Sequence, residues 1–239
     1  MLFSFWNFLY LLLVAAAGIL ISLGLRGKSI MAREKTLNRI SGLLLGVYLL
    51  ELLTALLLTG EIRLTGLLFQ TCALAAVLVF LTRYVKLLAR FRAPVMLTGL
   101  AASVLYLVFP EGDAPEGVPA AVFAAQSLIG CGLLAVYGLV SISTGSIRIS
   151  VKNLPGVLIL ATGIAAWKMV GETLWAAGSY GVRTAGISEV RPWAAFVGMI
   201  LVFTTVAAAI CAVALLCPRL KREKKEEKAT IYIADRRAV

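Results

Sequence analysis

At 239 residues the chain is long enough for one compact unit, but 61% hydrophobic and only 15% charged residues is more apolar surface than a water-soluble fold can hide. The formal net charge is +11, from 23 basic and 12 acidic residues, and there is no histidine. That absence excludes histidine general acid/base chemistry, Ser-His or Cys-His nucleophiles, HExxH zinc sites and histidine haem ligation.

The four cysteines, Cys72, Cys131, Cys211 and Cys217, form no CxxC pair and lie in or beside apolar runs, so neither a disulfide framework nor a cysteine metal site is expected. No cofactor is expected either. The sequence also lacks an Asn-x-Ser/Thr sequon, which leans toward a prokaryotic source.

Apolar runs of about 20 residues match a hydrocarbon core of roughly 30 Å at 1.5 Å per residue. In chain order they predict spans at Leu2 to Leu25, Ile40 to Leu58, Leu64 to Leu81, Ala93 to Phe109, Pro119 to Ser143, Pro155 to Gly178 and Trp193 to Leu216. The expected fold is all-α: a polytopic transmembrane bundle of seven spans over residues 1–217, followed by a basic tail at 218–239. The first run has no basic n-region and is followed by a basic loop, so it reads as an uncleaved helix with its N-terminus outside.

Basic residues test that direction. Five fall in the loop from Arg26 to Arg39, four from Arg83 to Arg92, two from Thr144 to Leu154 and eight after Cys217. The opposite side holds only Arg63, Arg183 and Arg191. This alternation puts the C-terminus in the cytoplasm of a cell membrane, in keeping with positive-inside bias. Trp6, Trp175, Trp193 and Tyr180 fall near the predicted outer ends, as does the acidic loop of Glu111, Asp113 and Glu116. The excess positive charge is expected to meet anionic lipid headgroups rather than nucleic acid.

Between spans, Ser29 is placed to cap a helix that runs into the second span, and residues 83–91 alternate basic and apolar in an interfacial pattern before Pro94 opens the fourth helix. Gly42 with Gly46, and Gly99 with Ser103, are small-residue pairs expected to permit close helix packing. The tail from Lys221 to Lys228 reads as a solvated charge run anchored at the membrane surface.

Polar residues inside spans carry the functional expectation. Lys168 lies mid-span in the sixth run, Glu172 is one turn outward on the same face, and Glu51 interrupts the second. Each ionised group at mid-membrane costs about 2.5 to 3.5 kcal/mol, so the three should face the bundle interior and one another. Counted inward from the outer helix ends, Gln70, Glu172 and Ser103 lie roughly 9 Å deep, Glu51 and Gln126 roughly 12 Å, and Lys168 roughly 15 Å. By contrast the inner halves of spans one, three, five and seven are apolar, predicting a dry inner half.

The candidate ligand site is therefore Glu51, Gln70, Gln126, Lys168 and Glu172, with Trp167, Trp175 and Tyr106 as apolar walls. Lys168 suits an anionic or carbonyl group, and Glu51 or Glu172 suits a cation or a proton. A structural ion network holding helix register accounts for the same residues. The leading functional expectation is binding or transport of a small solute. The alternative is a non-catalytic subunit or sensor engaging a cytoplasmic or membrane partner through its basic loops and tail. An enzyme using Glu51 and Glu172 comes third.

Three families invite comparison with this pattern, and none is recognised in it. Thr82, Arg83 and Tyr84 superficially resemble a receptor DRY motif, but no NPxxY follows in the last span and no outer cysteine pair exists, so the triplet reads as chance. The last span has no lysine for a retinal Schiff base. A three-plus-one-plus-three plan like that of PQ-loop sugar carriers fits the count without their Pro-Gln motif or an internal repeat.

Overall fold

The computed structural model describes residues 5–59, 71–108, 120–147, 149–176 and 192–216, with the side chains of 5–8, 55, 58–59, 120, 123, 168–176, 192–195 and 216 left aside. Among the described residues the protein is all-helical. Its helices are α1 (Phe5–Gly24), α2 (Ile30–Thr59), α3 (Thr71–Tyr84), α4 (Arg92–Val108), α5 (Ala120–Ser143), α6 (Leu154–Ala176) and α7 (Pro192–Leu216). Segments Ile30–Thr54, Lys86–Val108, Ala124–Ser143 and Phe196–Leu215 are long and apolar enough to cross a membrane, and Leu9–Gly24, Thr71–Tyr84 and Val151–Trp167 are shorter apolar helices. The molecule is a membrane protein, because no aqueous fold leaves Leu20, Ile159 and Val213 each at least 68% exposed on such helices.

Local sequence explains the joints. Gly27 and Gly145 take positive φ of 78° and 69°, which lets the chain reverse directly after α1 and α5. Ser29 accepts the Ala32 amide at 3.3 Å, starting α2 ten residues before its apolar run as the capping pattern predicts. At 30 residues, α2 is about 45 Å long and overshoots the hydrocarbon core, carrying Arg33, Glu34, Lys35, Asn38 and Arg39 beyond it. The interfacial stretch after α3 is a 3-10 helix, Lys86–Phe91, entered through extended Val85. Pro94 then occupies the first turn of α4, where its missing N–H costs nothing.

Packing centres on α5, which lies against α1, α2 and α4. Helix α3 fills the angle between α2 and α4, while α6 and α7 pair with each other and lean on the other side of α4. The core is built from Leu37, Leu44, Ala76, Leu97, Ala101, Leu134, Val140 and Val157. Close approach needs small residues: a Cβ on Gly99 would lie 3.2 Å from Leu134 and 3.6 Å from Ala75. Gly42 and Gly46 behave differently. A Cβ on either meets nothing within 4 Å, so this pair is not a packing seam within the described chain.

Candidate functional site

Call the end bearing residues 26–39, 83–92 and 144–152 the basic end. In the half of the bundle away from it, four helices bring polar side chains together. Glu51 on α2 is 1% exposed, and its Oε1 accepts a hydrogen bond from Ser127 Oγ of α5 at 2.8 Å. One turn earlier on α2, Tyr48 neighbours Glu51 and the thiols of Cys72 (α3) and Cys131 (α5). Tyr106 of α4 neighbours Ser127, Glu51 and the same two thiols. A Cβ on Gly130 would come within 3.0 Å of the Tyr48 hydroxyl, so that glycine lets the end of the ring approach α5 closely.

Satisfaction in this cluster is incomplete. Glu51 Oε2 and the Thr71 hydroxyl are buried without a hydrogen-bond partner among the described residues, and the buried Tyr48 hydroxyl has no oxygen or nitrogen partner there, only the weakly polar Cys131 thiol close by. Each such group costs about 1 to 3 kcal/mol when left unpaired, and more when charged. Beside it, Gln126 donates to Thr54 Oγ1 at 2.9 Å, tying α5 to α2 one turn nearer the helix ends. Ser103, 0% exposed, returns its hydroxyl to the Gly99 and Leu100 carbonyls and offers the cluster no free donor.

Of the residues singled out from sequence, Glu51, Gln126 and Tyr106 thus lie on α2, α5 and α4 around one buried locus. Trp167 is 46% exposed on α6. The backbone of α6 includes positions 168, 172 and 175, but the Lys168, Glu172 and Trp175 side chains and the whole of Gln70 lie outside the described residues, as do the acidic loop and the tail. Tyr48 and Ser127 were not expected here from the sequence, and Cys72 and Cys131 were expected only as lone thiols in apolar runs. Only the i, i+3 spacing of Tyr48 and Glu51 hinted at one of them.

At the basic end, beyond the inner half expected to be dry, a second polar group forms. Arg83 of α3, its side chain 2% exposed, pairs with Glu34 of α2. Its Nε donates to the Tyr137 hydroxyl of α5 at 2.8 Å, and the guanidinium stands 5.5 Å from that ring's centroid. Two more arginines act as helix caps. Arg92 donates to the Thr82 and Arg83 carbonyls at 2.9 and 3.3 Å, and Arg33 donates to the Thr144 carbonyl at 3.0 Å, closing the C-terminal ends of α3 and α5. The triplet read as chance therefore contains an organising residue. Its signal was an arginine at the end of an apolar run with an acid available one helix away.

The described residues hold no cluster of acids and cysteines able to bind a metal ion. No protein-family model matches this chain, and no curated protein and no solved structure matches it significantly.

Proposed function

We propose that the chain is a cell-membrane protein of seven spans, its basic end in the cytoplasm, that binds or transports a small solute at the Glu51 cluster in the outer half. The observation that carries this reading is Glu51 itself, a 1% exposed carboxyl with one oxygen on Ser127 and the other without a hydrogen-bond partner among the described residues. A bundle selected only for stability gains nothing from an open acceptor at that depth, because an apolar side chain of the same size avoids the desolvation cost. A solute that donates hydrogen bonds or carries a cation satisfies Glu51 and recovers that cost on binding. Lys168 and Glu172, on α6, are proposed as further ligands for the solute's other end.

The test is a thermal-shift panel of amines, amino acids and polyols on purified protein. One class should raise the wild-type melting temperature, and Glu51→Gln should abolish that rise while folding normally. If Glu51→Gln changes melting alone and no panel member acts on the wild type, the polar cluster is a register device. Truncation after Arg219 should leave the solute response untouched. Loss of function on truncation, with Glu51→Gln silent, would favour the partner-engaging alternative.

A further inference from the structure

The side of α2 that the bundle leaves bare is a groove of roughly 1000 Å³, whose lining includes Lys35, Arg39, Gly42, Gly46, Leu50 and Tyr84. Its chemistry changes along its length. At the basic end stand two exposed cations, Lys35 and Arg39. The neighbouring acid, Glu34, is already paired with Arg83, so their charge is not cancelled locally. Deeper along α2 the groove is floored by Gly42 and Gly46, over which a Cβ would find 4 Å of open space, and walled by apolar side chains.

Depth fixes what such a groove faces. Tyr84 is 55% exposed and rests on Phe80 with ring centroids 4.4 Å apart, and Leu87 next to it is 76% exposed between the cations Lys86 and Arg90. Amphipathic rings and alternating apolar and basic side chains of this kind sit at the headgroup layer. From Arg39 to Leu50 is about 16 Å along the helix, about the half-thickness of the hydrocarbon core. The groove therefore begins at the headgroups and runs one leaflet deep.

We infer that this groove is a binding site for one anionic glycerophospholipid, its phosphate held between Lys35, Arg39 and the Tyr84 hydroxyl and an acyl chain lying over Gly42 and Gly46. Charge complementarity chooses this occupant over a second copy of the chain, which would bring two more cations to the same mouth. The inference needs the membrane location but not the solute reading.

Native mass spectrometry of the full chain, released from nanodiscs of equal phosphatidylglycerol and phosphatidylcholine, tests it. Wild type should retain phosphatidylglycerol preferentially. Lys35→Gln with Arg39→Gln should lower that retention about twenty-five-fold, taking each surface cation as worth about five-fold. Lys28→Gln with Lys152→Gln, also exposed but outside the groove, should leave it unchanged, and so should Glu51→Gln, which separates this site from the solute cluster. Gly46→Leu should expel the lipid while the cations remain. Equal loss in the control pair overturns the proposal in favour of diffuse surface attraction. Inorganic phosphate retained as well as the lipid overturns the acyl groove. A dimer broken by Gly46→Leu, with lipid retention unaffected, assigns the face to a second copy instead.

Discussion

Glu51 and Arg83 are both buried ionisable side chains, and they are held in opposite ways. Arg83 has a carboxylate, a tyrosine hydroxyl and an aromatic face around it, whereas Glu51 has one serine and an open oxygen. Removing Arg83 strands Glu34 at the bundle rim and takes away the donor to Tyr137. Arg83→Gln should therefore cost about 3 kcal/mol in stability, at the low end for a broken buried pair because Glu34 is 34% exposed and keeps some water. Arg83→Lys should recover only part, since an ammonium cannot both pair with Glu34 and stack its plane on the Tyr137 ring. Chemical denaturation in mild detergent measures both. At Glu51 the sign reverses. Glu51→Met removes an unsatisfied acceptor at similar volume and should leave stability unchanged or raise it by about 1 to 2 kcal/mol while ending any solute response. Ser127→Ala should cost about 1 to 3 kcal/mol in the native background and much less beside Glu51→Met. A destabilised Glu51→Met would mean that the carboxyl has a strong partner and is structural.

Helix by helix, the apolar runs foretold the elements well, because a span must satisfy its own backbone and can do so only as helix. Neighbours were another matter. Membrane helices are apolar toward lipid and toward each other, so their periodicity does not announce which face is inward. That is why the Gly42 and Gly46 pair read as a seam and turned out bare, whereas Gly99, in a similar pattern, packs under Leu134. It is also why Arg83 was set aside: its partners Glu34 and Tyr137 come from helices 49 and 54 residues away, and nothing local names them. Gly132 shows how tightly the true seams are set. Tyr10 of α1 donates to the Leu128 carbonyl of α5 at 2.8 Å, and its hydroxyl occupies the space a Cβ on Gly132 would need. Gly132→Ala should destabilise by about 1 to 3 kcal/mol through overpacking. Tyr10→Phe should cost about 1 kcal/mol for the lost hydrogen bond. Together they should cost clearly less than their sum, because removing the hydroxyl makes room for the methyl. Strict additivity would show that α1 and α5 are not held at this distance.

For the whole molecule, charge does two jobs at one end. Arg33, Arg83 and Arg92 are consumed in closing helix ends and pairing Glu34, while Arg26, Lys28, Lys35, Arg39, Lys86, Arg90 and Lys152 stay exposed. In the proposed orientation only the exposed set could meet anionic headgroups, where each cation would contribute about 1 kcal/mol. That set lies on the connections after α1, α3 and α5 and on the first three turns of α2, as the proposed orientation requires, and single-cysteine labelling can test it. Cys72, Cys131 and Cys211 are buried and should react little in the intact bundle, so replacing Cys217 alone leaves a quiet background. In right-side-out cells, Asp113→Cys should be modified by a membrane-impermeant maleimide, while Lys28→Cys and Lys152→Cys should react only after permeabilisation. Labelling of Lys28→Cys and Asp113→Cys from the same side would require an even number of crossings between them. The alternation of basic loops would then have to come from helix capping rather than from insertion.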